Sequence, residues 1–243
     1  MGHTFGNIFL STLEKLTGSI DEAVDKISEL LRLRGKVLPA TLCKVKLIAY
    51  LKNGIILRGQ NTIYGSDLDK LNKIALEPIA KANPKALRAI HDADLIVIGP
   101  GDLYSSLIPN FLISGISNAI KKCRAKKLFI CNLMNRAGQT ENFQPSDYVK
   151  IIEDYIGICV DYIIYNTGHP PQRLLNRYIH EGECLVPTTI IKNKRYMGDK
   201  LISKKFSKKE KGDQIKRNLI RHNSDLLANL IVNKILNLNR IDV

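Results

Sequence analysis

The sequence predicts an α/β fold with a largely parallel sheet, and three observations predict it. Short apolar, β-branched runs recur at residues 93–98 (ADLIVI), 127–132 (KLFICN) and 160–166 (VDYIIYN). Each is followed by a stretch whose apolar residues fall at helical spacing. Each run also ends in glycine, asparagine or other turn-forming polar residues. Continuous apolar runs suit strands buried on both faces, and their alternation with helices suits parallel crossovers.

The other elements follow in chain order. Residues 6–17 and 19–33 carry helical spacing, the second opening Ser19-Ile20-Asp21-Glu22 in the pattern of a capping box. Residues 45–51 and 54–59 read as a hairpin turned at Asn53-Gly54. From there to the first apolar run the chain reads as loop. Residues 103–107 and 111–122 read as helical, as do 147–156 and 171–180, each after a strand or its turn. Residues 185–206 are less regular and are expected to add short edge strands before an amphipathic helix at 224–236. The organisation expected is one α/β domain over 1–243, with 185–243 forming an irregular basic segment and a closing helix.

Composition narrows the function classes. With 243 residues, 44% of them hydrophobic, the chain can bury a core. No apolar run approaches the roughly 18 residues of a membrane span, and the first residues lack a secretory pattern, so a cytoplasmic location is expected. Five cysteines show no CxxC or CxxH spacing, so they are expected to be reduced and mostly buried, with no zinc site. The net charge of +14 invites polyanions. Its excess is concentrated in residues 192–221, which lack the interleaved aromatics of an RNA-stacking surface. A solvated lysine-rich face is the expected reading, and nucleic-acid binding through Lys204, Lys205, Lys208 and Lys209 ranks below it.

The most specialised stretch is IGPGDLYSSLIPN, residues 98–110. Gly99 and Gly101 allow backbone angles and approaches that a Cβ forbids, and Pro100 stiffens the turn between them. Asp102, Ser105 and Ser106 then fall around a helix start. Either its backbone N–H groups hold an anion such as phosphate, or Asp102 simply caps the helix and the serines are solvated. Asp102 would itself repel a phosphate, and could instead hold a metal ion, a ribose hydroxyl or a base edge. The other two strand ends are also polar, at Asn132 to Glu141 and at Asn166 to Gly168. In an open parallel sheet such ends are expected to converge on one crevice.

Four segments in order, GHTFGNIFLSTLEKLTGSIDEAV, LRGKVLPAT, ADLIVIGPGDLYSSLIPNFLISGI and FICNLMNRAGQTENFQPSDYV, resemble the bacterial gluconeogenesis-factor family. RHNSDLLANLI resembles its closing segment. That family falls in one superfamily with the 2-phospho-L-lactate transferases, and the resemblance covers nearly the whole chain. It implies a modified Rossmann-like, three-layer α/β/α fold in a cytoplasmic protein. It further implies binding of UDP-sugars such as UDP-N-acetylglucosamine, and a part in cell shape and cell-wall synthesis on gluconeogenic carbon sources. Carried over by residue, it places Gly99, Gly101, Asp102, Tyr104, Ser105 and Ser106 around a nucleotide diphosphate, with Asn110 on the same motif. It places His3, Gly6, Asn7, Asn132, Asn135 and Thr140 along the crevice, and Arg221 and His222 in the closing segment. Without the resemblance, His3 reads as a frayed terminal residue, and Arg221 equally as one more member of the basic cluster.

The family's leading strand and glycine-rich nucleotide turn have no counterpart here, and no G-x-G-x-x-G stretch occurs. The chain is therefore expected to be N-terminally incomplete relative to the family. The leading functional expectation is a UDP-sugar-binding regulatory protein with no assigned catalytic residue, metal or certain cofactor. The alternative is a magnesium-dependent phospholactyl transferase acting on a deazaflavin precursor, with Asp102 as metal ligand. Self-association into a homo-oligomer stays open.

Overall fold

The structure, a computed structural model, describes residues 5–204 and 220–236. Helices α1 (Phe5–Thr17) and α2 (Ile20–Leu30) lead the chain. Ser19 holds the cap position of α2, but its side chain makes no capping bond, so the expected capping box does not form. The Ser19 N–H that Glu22 would have reached already donates to Thr17 Oγ1 at 3.4 Å.

Strands β1 (Lys46–Leu51) and β2 (Ile56–Arg58) form the expected hairpin. The stretch after it is more structured than the loop expected there, holding helix α3 (Gln60–Tyr64), strand β3 (Leu71–Glu77) and helix α4 (Pro84–His91). β3 pairs antiparallel with β1, making a three-stranded sheet in the order β2-β1-β3. Asn83 caps α4 by accepting from Lys85 N at 3.0 Å, with Pro84 in the first turn, where its missing N–H costs nothing.

Strand β4 (Leu95–Ile98) enters a wide π-type turn over residues 103–107, then helices α5 (Ile108–Phe111) and α6 (Ile116–Lys122). The single helix expected over 111–122 is broken at Gly115, whose φ of 104° is not helical. The remaining elements are β5 (Lys126–Ile130), β6 (Met134–Arg136), α7 (Pro145–Ile156), β7 (Tyr162–Asn166), α8 (Gln172–Ile179), β8 (Glu183–Leu185), β9 (Tyr196–Asp199) and α9 (Ser224–Leu230).

Four strands form a parallel sheet in the order β4-β5-β7-β9, and β6 pairs with β8 in a separate antiparallel ribbon. Strand alternation divides the sheet's side chains between two covers. Phe129, Cys131, Ile163 and Tyr165 pack with Tyr148, Val149, Ile152 and Ile156 of α7 and with Ala49 and Ile74 of the antiparallel sheet. Leu128, Ile130 and Ile164 pack with Leu230 of α9 and with Ile235 beyond it. The result is a Rossmann-like sheet between two covering layers, as expected. β4 departs from the expectation of burial on both faces. It is an edge strand whose Val97 is 45% exposed. The cysteines also differ from expectation: all five are free, but only Cys131 is buried, while Cys43 and Cys159 are exposed. Among the described residues no helix is long and apolar enough to cross a membrane.

Candidate functional site

A crevice of about 730 Å³ opens at the carboxyl ends of β4 and β5, the position where open parallel sheets gather ligands. Gly101, Asp102 and Leu103 line it from the first strand end, and Asn132 to Arg136 with Thr140 from the second. Tyr64, Tyr178, Glu183, Arg221 and His222 complete the wall.

The glycine turn is built by close approach. Gly99 has φ 76°, and a Cβ there would stand 3.1 Å from the Ile130 carbonyl oxygen. At Gly101 a Cβ would meet Leu107 at 3.1 Å. The two strand ends are tied by Asn132, whose Nδ2 donates to Gly101 O at 2.9 Å while its Oδ1 accepts from Gly101 N at 3.4 Å.

Several donors of this turn bond within the protein. Asp102 Oδ1 accepts from Ser105 N at 2.8 Å and from Ser105 Oγ at 2.7 Å. Ser106 N and Leu107 N both donate to the Asp102 carbonyl at 3.0 Å. Of the two sequence readings, capping by Asp102 is therefore the one whose bonds are formed. Ser105 is buried on that cap, and Ser106 is exposed but outside the crevice wall. Tyr104 turns into the core, where burial raises its phenol pKa to about 12. Asn110 faces away, with its amide donating to Ser106 O and Leu107 O, and it lines a separate groove beside β4 together with Gly99.

Asn135 and Thr140 form the buried floor. Asn135 donates to Phe143 O and accepts from Tyr148 Oη, both at 2.8 Å, and Thr140 Oγ1 accepts from Arg136 N at 3.0 Å. Their polar atoms hold the loop, and both residues line the crevice. The third strand end does not join. Asn166 is turned inward, its Oδ1 accepting from Gly168 N and Leu201 N at 3.0 Å, and Thr167 with Gly168 lines a neighbouring cavity of about 960 Å³. Gly6 lies on α1, none of whose described residues reaches the crevice; His3 and the side chain of Asn7 lie outside the described residues. Lys205, Lys208 and Lys209 lie outside them too, and Lys204 borders the neighbouring cavity.

Arg221 and His222 are brought to the crevice from far along the chain. His222 Nε2 is buried with no hydrogen-bond partner, and burial holds its imidazole pKa below 6.5, opposed by a hydrogen bond to the Cys131 backbone. Its contribution to stability is thus fully present above the unfolded value and lost as pH falls through the lower folded one. We expect the urea midpoint to drop between pH 7.5 and pH 5.5 by more in the wild type than in His222→Asn. Equal drops would show that another group carries the dependence.

Tyr64, Arg136, Tyr178 and Glu183 have no sequence signal that singles them out. For Arg136 the only pointer is its place inside NLMNRAGQT. Its guanidinium carbon sits 3.5 Å from the centroid of the Tyr64 ring, and its Nη1 lies 3.6 Å from Asp102 Oδ2. Tyr64 is placed by Gln139, whose amide nitrogen donates to the carbonyls of Ile63, Tyr64 and Ser66. Among the described residues no cluster of three histidine, cysteine or acidic side chains could hold a metal ion. Asp102 has one oxygen committed to Ser105 and the other facing the Arg136 guanidinium.

Known proteins resemble the chain as follows. The sequence profile of the 2-phospho-L-lactate transferase CofD family matches residues 1–207. A relative from Clostridium acetobutylicum is 37% identical over 239 residues, covering 96% of this chain and 51% of that protein, so the chain spans about half the relative's length. A Bacillus subtilis relative named gluconeogenesis factor is 34% identical over 240 residues, covering 95% of this chain and 71% of that protein. A crystal structure of a Bacillus halodurans protein superposes with a TM-score of 0.81 at 30% identity, covering 95% of this chain and 72% of that one.

Proposed function

Because this chain belongs to the 2-phospho-L-lactate transferase CofD family, among relatives that bear the name gluconeogenesis factor, we propose that it binds a nucleotide sugar in the crevice. It would act there as a regulatory protein of cell shape and cell-wall synthesis during growth on gluconeogenic carbon. One observation carries this reading: Arg221, from the closing segment, lines the same crevice as the Gly101–Asp102 turn and Asn132. A volume of about 730 Å³ falls within the range of small-molecule sites, and arginine suits a diphosphate bidentately. The bound chemistry is that of a diphosphate joined to a base and a sugar.

Calorimetric titration of the purified chain with UDP-N-acetylglucosamine tests this. Saturable binding with the nucleotide sugar recovered unchanged is expected, and no binding at millimolar ligand would overturn it. The alternative, a phospholactyl transferase, draws on the family name. Product formed from a deazaflavin precursor, a guanosine diphosphate-linked donor and magnesium would establish that alternative instead.

A further inference from the structure

We propose that Arg136 is a second diphosphate-reading group of the crevice beside Arg221, exchanging Asp102 for the ligand's anion when the ligand binds. This rests on the reading of the crevice as an anion site, and it adds a side chain to that site.

A glycine turn at a strand end ordinarily offers backbone N–H groups to a phosphate. Here the N–H groups of Gly101, Ser105, Ser106 and Leu107 donate to Asn132, to the Asp102 side chain and to the Asp102 carbonyl. The Asp102 carboxylate on the same turn repels an anion. Beside that carboxylate, a diphosphate gains from positive side-chain charge placed where it also neutralises Asp102.

Arg136 has that position. It lines the crevice and lies 3.6 Å from Asp102 Oδ2, beyond hydrogen-bond length. Its guanidinium donates no hydrogen bond among the described residues, although its side chain is only 28% exposed. A guanidinium carries five N–H donors in a fixed fork, so such a group has donors to spare. The ring of Tyr64 fixes its plane by a cation–π contact, and the three Gln139 bonds hold the Tyr64 backbone. The fork is thus oriented before any ligand arrives, and the loose Asp102 contact is its only ion pair among the described residues.

The test uses the full chain with three probes: inorganic pyrophosphate, UDP-N-acetylglucosamine and uridine. By titration calorimetry, Arg136→Gln is expected to weaken pyrophosphate and UDP-N-acetylglucosamine by roughly tenfold or more, the loss of charged hydrogen bonds, and to leave uridine unchanged. Arg136→Lys keeps the charge without the fork and is expected to fall between wild type and Arg136→Gln for both anions. Thermal melts of both variants should match the wild type within a few degrees; if Arg136→Gln unfolds, the Arg136→Lys ordering decides. If the wild type binds pyrophosphate through Arg136 but not the nucleotide sugar, the function reading fails while this inference stands. Unchanged pyrophosphate affinity in Arg136→Gln, equal losses for uridine and the anions, or no pyrophosphate binding by the wild type would each overturn it.

Discussion

Replacing Gln139 with leucine is expected to destabilise the chain by roughly 1–3 kcal/mol, the range for removing a donor from one buried and two part-buried acceptors. The cause is specific. One amide nitrogen lies 2.9 Å from Ile63 O, 3.0 Å from Tyr64 O and 2.9 Å from Ser66 O, and Gln139 is only 7% exposed. Leucine fills a similar volume but leaves these carbonyls facing an apolar side chain with no donor. The urea midpoint should fall while the slope stays constant, since the fold and its buried surface are otherwise kept. Gln139→Glu separates the donor from the shape. At neutral pH it sets a carboxylate against three carbonyl oxygens, so it should be worse than leucine. Its folded pKa would then lie above the unfolded value, so stability is present below the unfolded pKa and lost as pH rises through the folded one. Acidification should accordingly restore part of the glutamate variant and none of the leucine variant. A Gln139→Leu cost below about 0.5 kcal/mol, the level of an ordinary surface change, would sink the idea.

The same bonds explain what the sequence could and could not reveal. The strands of the parallel sheet announce themselves as apolar runs because both faces are covered, and Phe129 beside Leu128 shows why alternation disappears there. β3 hides within residues 60–92 because its LNKIALE pattern is half polar on a partly solvated antiparallel sheet, where only Ile74 is fully buried. β6 and β8 are three residues each and exist through their pairing with one another, which no local pattern encodes. At the site, Gly99 and Gly101 are legible because close backbone approach admits little else. The roles of Ser105, Tyr104 and Asn135 are not legible, since a hydroxyl, a phenol or an amide after a strand reads the same whether it turns to ligand or to protein. Asn166 is the clearest instance: it ends a strand as a ligand-binding asparagine would, yet its side-chain bonds among the described residues close on Gly168 and Leu201. The pairing of Arg136 with Tyr64 is further out of reach. It depends on the Gln139 bonds that bring two remote segments together.

Phe129→Ala is expected to cost more than any single change at the crevice wall, about 3–5 kcal/mol, as for large-to-small substitutions in tight cores. Phe129 sits on β5, the second strand of the parallel sheet, and is fully buried. Its ring stacks with Tyr148 at a centroid distance of 6.4 Å, and Tyr148 in turn meets Phe143 edge to face at 5.4 Å. The consequence reaches the site because Tyr148 Oη holds Asn135 on the crevice floor. Gly99 also leans on this ring: a Cβ there would come within 3.6 Å of Phe129 Cε2. Truncating Phe129 therefore loosens both the glycine turn and the asparagine floor, whereas Phe129→Leu retains most of the volume and should cost below about 1.5 kcal/mol. A double-mutant cycle with Tyr148→Leu should return a coupling of about 0.5–1.5 kcal/mol, as for contacting aromatic pairs. Chemical denaturation gives all four stabilities. Additive losses would show that the two rings act independently, and the core would then not transmit order from the sheet to the crevice along this path. A coupling in the expected range would tie crevice geometry to sheet packing. Any variant that weakens the α7 face of the sheet would then be expected to lose ligand affinity before it loses the fold.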